Sequence, residues 1–303
     1  MPNFTFPLYT TSPVKTISGN KEINFFSGTD IKNADFSVIK SFGEEWKKFH
    51  EFGETDISRL AAEYFDIIPE ILYQNSTKVL DVGCGSGRWT KVLSEKVGII
   101  DAVDPSDAIY AADTLLKDSP NVRLTKAASE NLPFEDNTYE LVISIGVLHH
   151  IPDTLKAMKD CVSKVKPGGY FYTYLYYKLD NRGFLFKSIF YLSDFLRRIV
   201  SSLPGGMKKF VCDVLAIFIY MPFILLSRLF NKMGFKKFAD KIPLSTYKDK
   251  SFFIIRNDAL DRFGTKLEHR FTRKQIHDMM SACGLNNIIF SEKIPYWHAI
   301  GQK

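Results

Sequence analysis

The stretch Lys78-Val-Leu-Asp-Val-Gly-Cys-Gly-Ser-Gly-Arg-Trp-Thr90 constrains the fold more than any other part of the chain. Val79, Leu80 and Val82 make an apolar run of the length of a buried parallel strand. Gly83, Gly85 and Gly87 follow at every second position. A strand that turns sharply into a helix needs backbone shapes that a side chain blocks, and glycine supplies them. The bare backbone also lets a ligand press close. Trp89 to Val97 then reads as the helix fed by this loop, its free N–H groups and positive end facing whatever sits there. A dinucleotide fingerprint has the spacing Gly-x-Gly-x-x-Gly. In this chain the third glycine comes one residue early and Arg88 takes its place. A glycine-rich turn that binds nothing is the other reading of the same residues.

With Asp81 in front, the pattern Asp-x-Gly-x-Gly-x-Gly resembles motif I of the class I S-adenosylmethionine (SAM)-dependent methyltransferases. The resemblance implies an α/β fold: a doubly wound, Rossmann-like sheet of seven strands, mostly parallel with the last antiparallel. It implies SAM as cofactor and no metal. The methionine end of SAM would lie over Asp81, Gly83, Cys84, Gly85 and Gly87. Gly98 to Val103 is a second apolar strand ending at Asp104-Pro105-Ser106, with Asp104 lying 23 residues past Asp81. An acid there can accept hydrogen bonds from both ribose hydroxyls; a turn Asp before Pro is the alternative. Ala127-Ala-Ser-Glu-Asn-Leu-Pro-Phe134 resembles the family's adenine-bordering loop, which carries Asp-Ala before the acid that is Glu130 in this chain; Ala128 stands where that Asp is usual, so Ser129 or backbone groups would serve instead.

Tyr139 to Ile145 is a fourth strand, followed by Gly146-Val-Leu-His-His-Ile-Pro-Asp153. Asp153 caps the next helix, Pro167-Gly-Gly169 stops it, and Tyr170 to Tyr177 is a fifth strand. The alternation of strands and helices marks a parallel, doubly wound sheet. The glycine loop, Asp104, Ala128–Glu130 and Gly146–His150 all fall at carboxyl ends of strands, where such sheets take ligands. His149 and His150 lie near where the family's transferred methyl sits, and either can serve as base for a hydroxyl acceptor; a structural loop histidine is the competing reading. The pattern resumes at Thr272-Arg-Lys-Gln275, a capping box, then two strands around Pro295. No Asn/Asp-Pro-Pro-Tyr motif of nucleic-acid and protein N-methylation follows strand four.

Residues 1–35, rich in Pro and Gly, read as an extended arm. Phe36 to Phe52 has Phe42, Trp46 and Phe49 at helical spacing, and Asp56 looks like the N-cap of a second helix with Ile57, Leu60 and Ile68 on its apolar face. By resemblance Trp46 would help cover the cofactor. The domain reading is therefore 1–74 for the arm and covering helices, 75–177 for the SAM-binding core, 178–271 for an inserted, mainly helical lid, and 272–303 for the completing helix and strands.

The insertion is the odd part. Residues 178–250 hold fourteen Lys/Arg and five Asp, while the whole chain has a net charge of +6. Phe184 to Val200 has Lys187, Asp194 and Arg198 on one side and is otherwise mostly apolar; Phe210 to Phe230 is almost wholly apolar, interrupted by Asp213 and Pro222. A spanning helix needs about 20 apolar residues. Three uses of this segment stand side by side: contact with a membrane surface, a roof over a greasy small-molecule or lipid-like acceptor, and packing on the core or in a homodimer. Lysines bordering apolar runs do not form the basic stripe with stacking aromatics of nucleic-acid binders. Cys84, Cys161, Cys212 and Cys283 show no metal spacing and read as free thiols. Met1-Pro-Asn-Phe-Thr-Phe lacks a signal-peptide pattern, so a cytoplasmic protein is expected, membrane-associated if the insertion meets lipid. The composite expectation is a methyltransferase acting at oxygen or carbon of a small hydrophobic acceptor. A non-catalytic module of the same fold and a nucleic-acid methyltransferase are the alternatives.

Overall fold

The computed structural model describes residues 4–26, 32–46, 61–180, 183–240, 242–249, 252–264 and 267–303. It divides into two compact units, Met1–Asp180 with Leu267–Lys303, and Asn181–Lys266. The first unit opens with β1 (Lys15–Ser18), β2 (Glu22–Phe25) and α1 (Phe36–Trp46). Ile57, Leu60, Phe49 and the Asp56 cap lie outside the described residues, as does the side chain of Trp46. β3 (Lys78–Val82) runs into α2 (Arg88–Ser94), β4 (Ile99–Val103), α3 (Ile109–Leu115), β5 (Val122–Lys126), β6 (Tyr139–Ile145), α4 (Thr154–Ser163) and β7 (Val165–Tyr174).

β3 is buried through Val79, Leu80 and Val82, so it needs a packed layer on each face. Trp89, Leu93, Ile109 and Leu116 supply one layer, and Met158, Cys161 and Val162 belong to the other. Asp153 caps α4 by accepting from Lys156 N at 2.9 Å. The strand after α4 begins earlier than its composition suggests. Pro167-Gly-Gly169 lies inside β7, where the pairing with β6 shifts register between Tyr139 and Leu141. A bulge of this kind absorbs the proline, which cannot donate to a ladder.

The second unit is helical: α5 (Phe184–Ser201), α6 (Gly205–Leu215), α7 (Met221–Lys232), α8 (Lys236–Ala239) and α9 (Phe252–Gly264). A π-helical turn, Ala216–Tyr220, joins α6 to α7 without a break. Pro222 therefore does not interrupt the apolar run. It falls in the first turn of α7, directly after the wider π turn, where its missing N–H and its ring are accommodated. Nor does Asp213 interrupt it, because Arg256 of α9 meets both carboxylate oxygens, at 2.7 and 2.6 Å. Val200, Cys212, Ala216, Tyr220, Ile224, Ile255, Ala259 and Phe263 form this unit's own core.

The chain returns to the first unit with α10 (Arg273–Ala282), β8 (Asn286–Phe290) and β9 (His298–Gln302). Thr272 and Gln275 complete the capping box on α10. The sheet order is β1-β2-β5-β4-β3-β6-β7-β9-β8, with β9 antiparallel to both its neighbours. Among the described residues the sheet therefore has nine strands, not seven. The two additional strands come from the N-terminal arm: β1 and β2 pair antiparallel, and β2 adds parallel to β5. Arg123 holds the arm's start by donating to Pro7 O at 2.8 Å and stacking over Tyr9 at 4.0 Å.

Candidate active site

The chain leaves β3 for β4 on one side of the sheet and later enters β6 on the other. That reversal opens the crevice in which doubly wound sheets take ligands. The β3 loop is fastened to the end of β4, since Gly83 N and Cys84 N both donate to Val103 O, at 2.7 and 3.0 Å. Gly83 and Gly87 lie at φ +81° and +82°. A Cβ at Gly83 would come within 2.4 Å of Val147, and one at Gly87 within 2.7 Å of Leu116. These glycines are thus required by backbone shape and by close packing. Cys84 is buried, and burial pushes its thiol well above the usual range, which makes it unreactive.

Gly85 N donates to Asp104 Oδ2 at 2.9 Å. Asp104 Oδ1 accepts from Ser106 N and Ser106 Oγ, at 2.8 and 2.6 Å. Ser106 Oγ in turn accepts from Ala108 N, and Pro105 is half-buried between them. Burial raises the Asp104 carboxyl; the bonds from Ser106 and Gly85 and the charge of Lys126 oppose that rise. Asp81 is 1% exposed and accepts from Thr90 Oγ1 at 2.6 Å. Burial, and secondarily the charge of Asp104, push its carboxyl up to about 7. A bare glycine backbone beside two buried carboxylates fits a ligand that is cationic and rich in hydroxyl donors, as SAM is.

Asp81 makes a prediction about stability. Its folded pKa of about 7 lies above the ordinary 3.8, so the carboxyl stabilises the fold in acid and that contribution is lost as pH rises through 7. Asp81→Asn keeps an oxygen for Thr90 and removes the buried charge. It is expected to stabilise the protein at pH 8, by up to roughly 4 kcal/mol, and to lose that advantage at pH 4. Thermal melts at the two pH values check this; a variant melting below the parent at pH 8 would contradict it.

Ala128 and Ser129 are buried at the end of β5, next to the Asp104 strand end, where Asp104 N donates to Thr125 O at 3.1 Å. Glu130 is occupied elsewhere: its Oε1 accepts from Asn33 N at 2.8 Å and its Oε2 lies 3.6 Å from Lys156 Nζ. Asn33 also bonds Asp153 through both main-chain groups, a tie that sequence reading missed. Gly146 takes φ +78° and leads, through Val147 packed on Gly83, to the buried pair His149 and His150.

His149 stacks on Tyr176 at 3.9 Å and lies 4.1 Å from the His150 ring. Both of its ring nitrogens are buried with no hydrogen-bond partner among the described residues, and the same holds for His269 Nε2. Burial lowers His149 well below the usual imidazole range, reinforced by the positive charges possible on His150, Arg270 and His269. His150 differs. Its Nδ1 donates to Leu267 O at 2.8 Å, which fixes the tautomer. Tyr176 was not expected at the site; His269 and Arg270 belong to a polar stretch that the sequence reads by default as solvated, salt-bridged faces, a few of its residues lining the pocket mouth. The segment 269–271 is laid beside it by backbone bonds from His269 N to His149 O and from Phe271 N to Tyr176 O. No group of three or more His, Cys, Asp or Glu with metal-binding geometry occurs among the described residues.

Comparison with known proteins agrees with this geometry. Residues 80–173 match the family model described as methyltransferase domain. Demethylmenaquinone methyltransferase of Staphylococcus saprophyticus is 33% identical over 107 residues, covering 34% of this chain and 46% of that protein. The Staphylococcus aureus protein of the same name is 34% identical over 107 residues, covering 34% of this chain and 44% of that protein. The match thus spans less than half the length of these relatives. A chain of the Haloferax volcanii complex between the Trm112 methyltransferase activator and a methyltransferase superposes with a TM-score of 0.50 at 11% identity, over 87% of this chain and 97% of that one. Residues 80–173 are a methyltransferase domain, set in the fold of the class I SAM-dependent methyltransferases.

Proposed function

We propose that this protein is a SAM-dependent methyltransferase that methylates an oxygen or carbon of a small, hydrophobic, lipid-like acceptor. The observation that carries the reading is the bond from Gly85 N to Asp104 at the reversal point of the sheet, which joins the bare glycine loop to a buried carboxylate. Asp104 would hold the ribose, the loop from Gly83 to Gly87 would face the methionine end, and the buried Ala128 and Ser129 would border the adenine. SAM, when bound, supplies a methyl group activated by a sulfonium. The protein's part is to hold the acceptor in line in a water-poor site and to take its proton. The acceptor's proton would pass to a ring nitrogen of His149, and the cofactor would leave as S-adenosylhomocysteine. The ring of Tyr176, stacked on His149, and that of Tyr174, 5.9 Å from Tyr176, favour an apolar, flat acceptor. The relatives' name, demethylmenaquinone methyltransferase, points to a lipid-like quinone and supports the same class.

Native mass spectrometry of the purified protein is expected to show carried-over SAM or S-adenosylhomocysteine. Incubation with SAM and extracted quinols or phenolic lipids is then expected to release S-adenosylhomocysteine. Cofactor binding with no turnover on any extract would leave a non-catalytic module. Absence of SAM binding by calorimetry would remove the reading altogether.

A further inference from the structure

The helical unit, Asn181–Lys266, holds sixteen Lys/Arg against six Asp and no Glu, within a chain whose remainder is net acidic. Its long helix has two unlike faces. Cys212, Ala216, Tyr220, Ile224 and Ser227 are buried on one. Phe218, Leu225 and Leu229 stand out on the other, 73%, 53% and 54% exposed, at positions i, i+7 and i+11. On α5, Tyr191, Phe195 and Ile199 form a second exposed stripe at i, i+4 and i+8. Contiguous apolar stripes of this kind mark an interaction surface. Lys209 lies near the start of the long helix, and Lys232, Lys236 and Lys237 cluster at its end, all exposed.

We propose that this apolar face docks, lying flat, on an anionic membrane surface. The flanking lysines complement acidic head groups while the apolar stripes enter the acyl boundary, the arrangement of an interfacial helix. Gly206–Lys232 is 27 residues, enough by length and composition to cross a bilayer. Crossing would carry Asp213, its partner Arg256 and the unit's own core into hydrocarbon, which is costly. Lying flat leaves that packing intact. A second copy is the poorer occupant on charge. Three of the six Asp are already paired within the unit, Asp194 with Arg197 and Arg198, Asp213 with Arg256, and Asp240 with Lys248. Two such basic faces would repel each other.

The test is co-sedimentation of the full chain with phosphatidylcholine vesicles, with and without about one third phosphatidylglycerol. Binding is expected to be at least roughly tenfold stronger on the anionic vesicles and to fall as salt is added. Phe218→Glu with Leu225→Glu and Leu229→Glu, and separately Lys209→Glu with Lys236→Glu and Lys237→Glu, are expected to abolish it. Circular dichroism melts report that the helical unit of each variant is folded, and SAM binding by calorimetry is measured apart from them, so failure of the membrane reading is distinct from failure of the methyltransferase reading. No binding to anionic vesicles at low salt, or binding untouched by both variants, overturns the proposal. So does a dimer in sedimentation equilibrium that the apolar-to-Glu variant dissociates, because the face then belongs to a second copy.

Discussion

Replacing Asp104 by alanine is expected to weaken SAM binding by roughly a hundredfold or more, with the protein still folded. An ionised carboxylate offers about four acceptor positions. Gly85 N and the two Ser106 donors take three, which leaves Oδ2 able to accept from ribose. Each charge-assisted bond lost contributes about 1.5–3 kcal/mol. The same change releases Gly85, so the loop also becomes less well prepared to bind. Asp104→Asn keeps one acceptor oxygen and should fall between alanine and the parent. Burial raises this carboxyl, so the parent's affinity should decline as pH falls into the acid range, as protonation removes an acceptor. The Asn variant should lack that slope. Calorimetry with S-adenosylhomocysteine across this pH range measures both effects; an alanine variant within about threefold of the parent would show that the ribose is held elsewhere.

The glycine loop and Asp104, proposed to hold the cofactor, were legible as a strand-end pair because their pattern is local. Three glycines at alternate positions after Val82 have few physical explanations, and the acid at the end of the next apolar strand is found by counting. The rest depends on partners distant in sequence. β1 and β2 are four residues each in a turn-rich segment, and nothing in them announces that Ile23 will pair beside Leu124. Glu268 and Arg270 lie in a polar stretch and are paired at 2.7 Å, yet the Glu268 side chain is only 2% exposed, which composition does not signal. His269 is brought to His149 by a backbone bond across 120 positions of sequence, and no periodicity or spacing signals such a meeting. In the helical unit, composition located the apolar runs. It could not reveal that a π turn carries the helix past Pro222, because that depends on one extra residue in a single turn.

His149→Phe is expected to lower turnover by roughly a hundredfold or more, leave SAM affinity unchanged and raise the melting temperature. The three outcomes have one cause. Each buried ring nitrogen without a partner costs about 1–3 kcal/mol, and His149 has two. Phenylalanine preserves the ring stacked on Tyr176 and removes both nitrogens. If His149 only filled space, the substitution would stabilise the protein and cost no activity. For the proposed base, two ring nitrogens without a partner among the described residues suit a group that arrives with the acceptor. Burial and the neighbouring cationic groups keep the imidazole neutral near neutral pH, so it presents one N–H and one lone pair. Turnover should therefore be flat above neutrality and decline only in acid. His150→Asn, which removes a ring already tied to Leu267 O, should perturb stability more than chemistry. Release of S-adenosylhomocysteine with the acceptor identified by extract screening measures the rate, and thermal melts without acceptor measure the stability. Parental turnover in His149→Phe would leave positioning as the whole mechanism, whereas stability gained with turnover lost would assign the proton to His149.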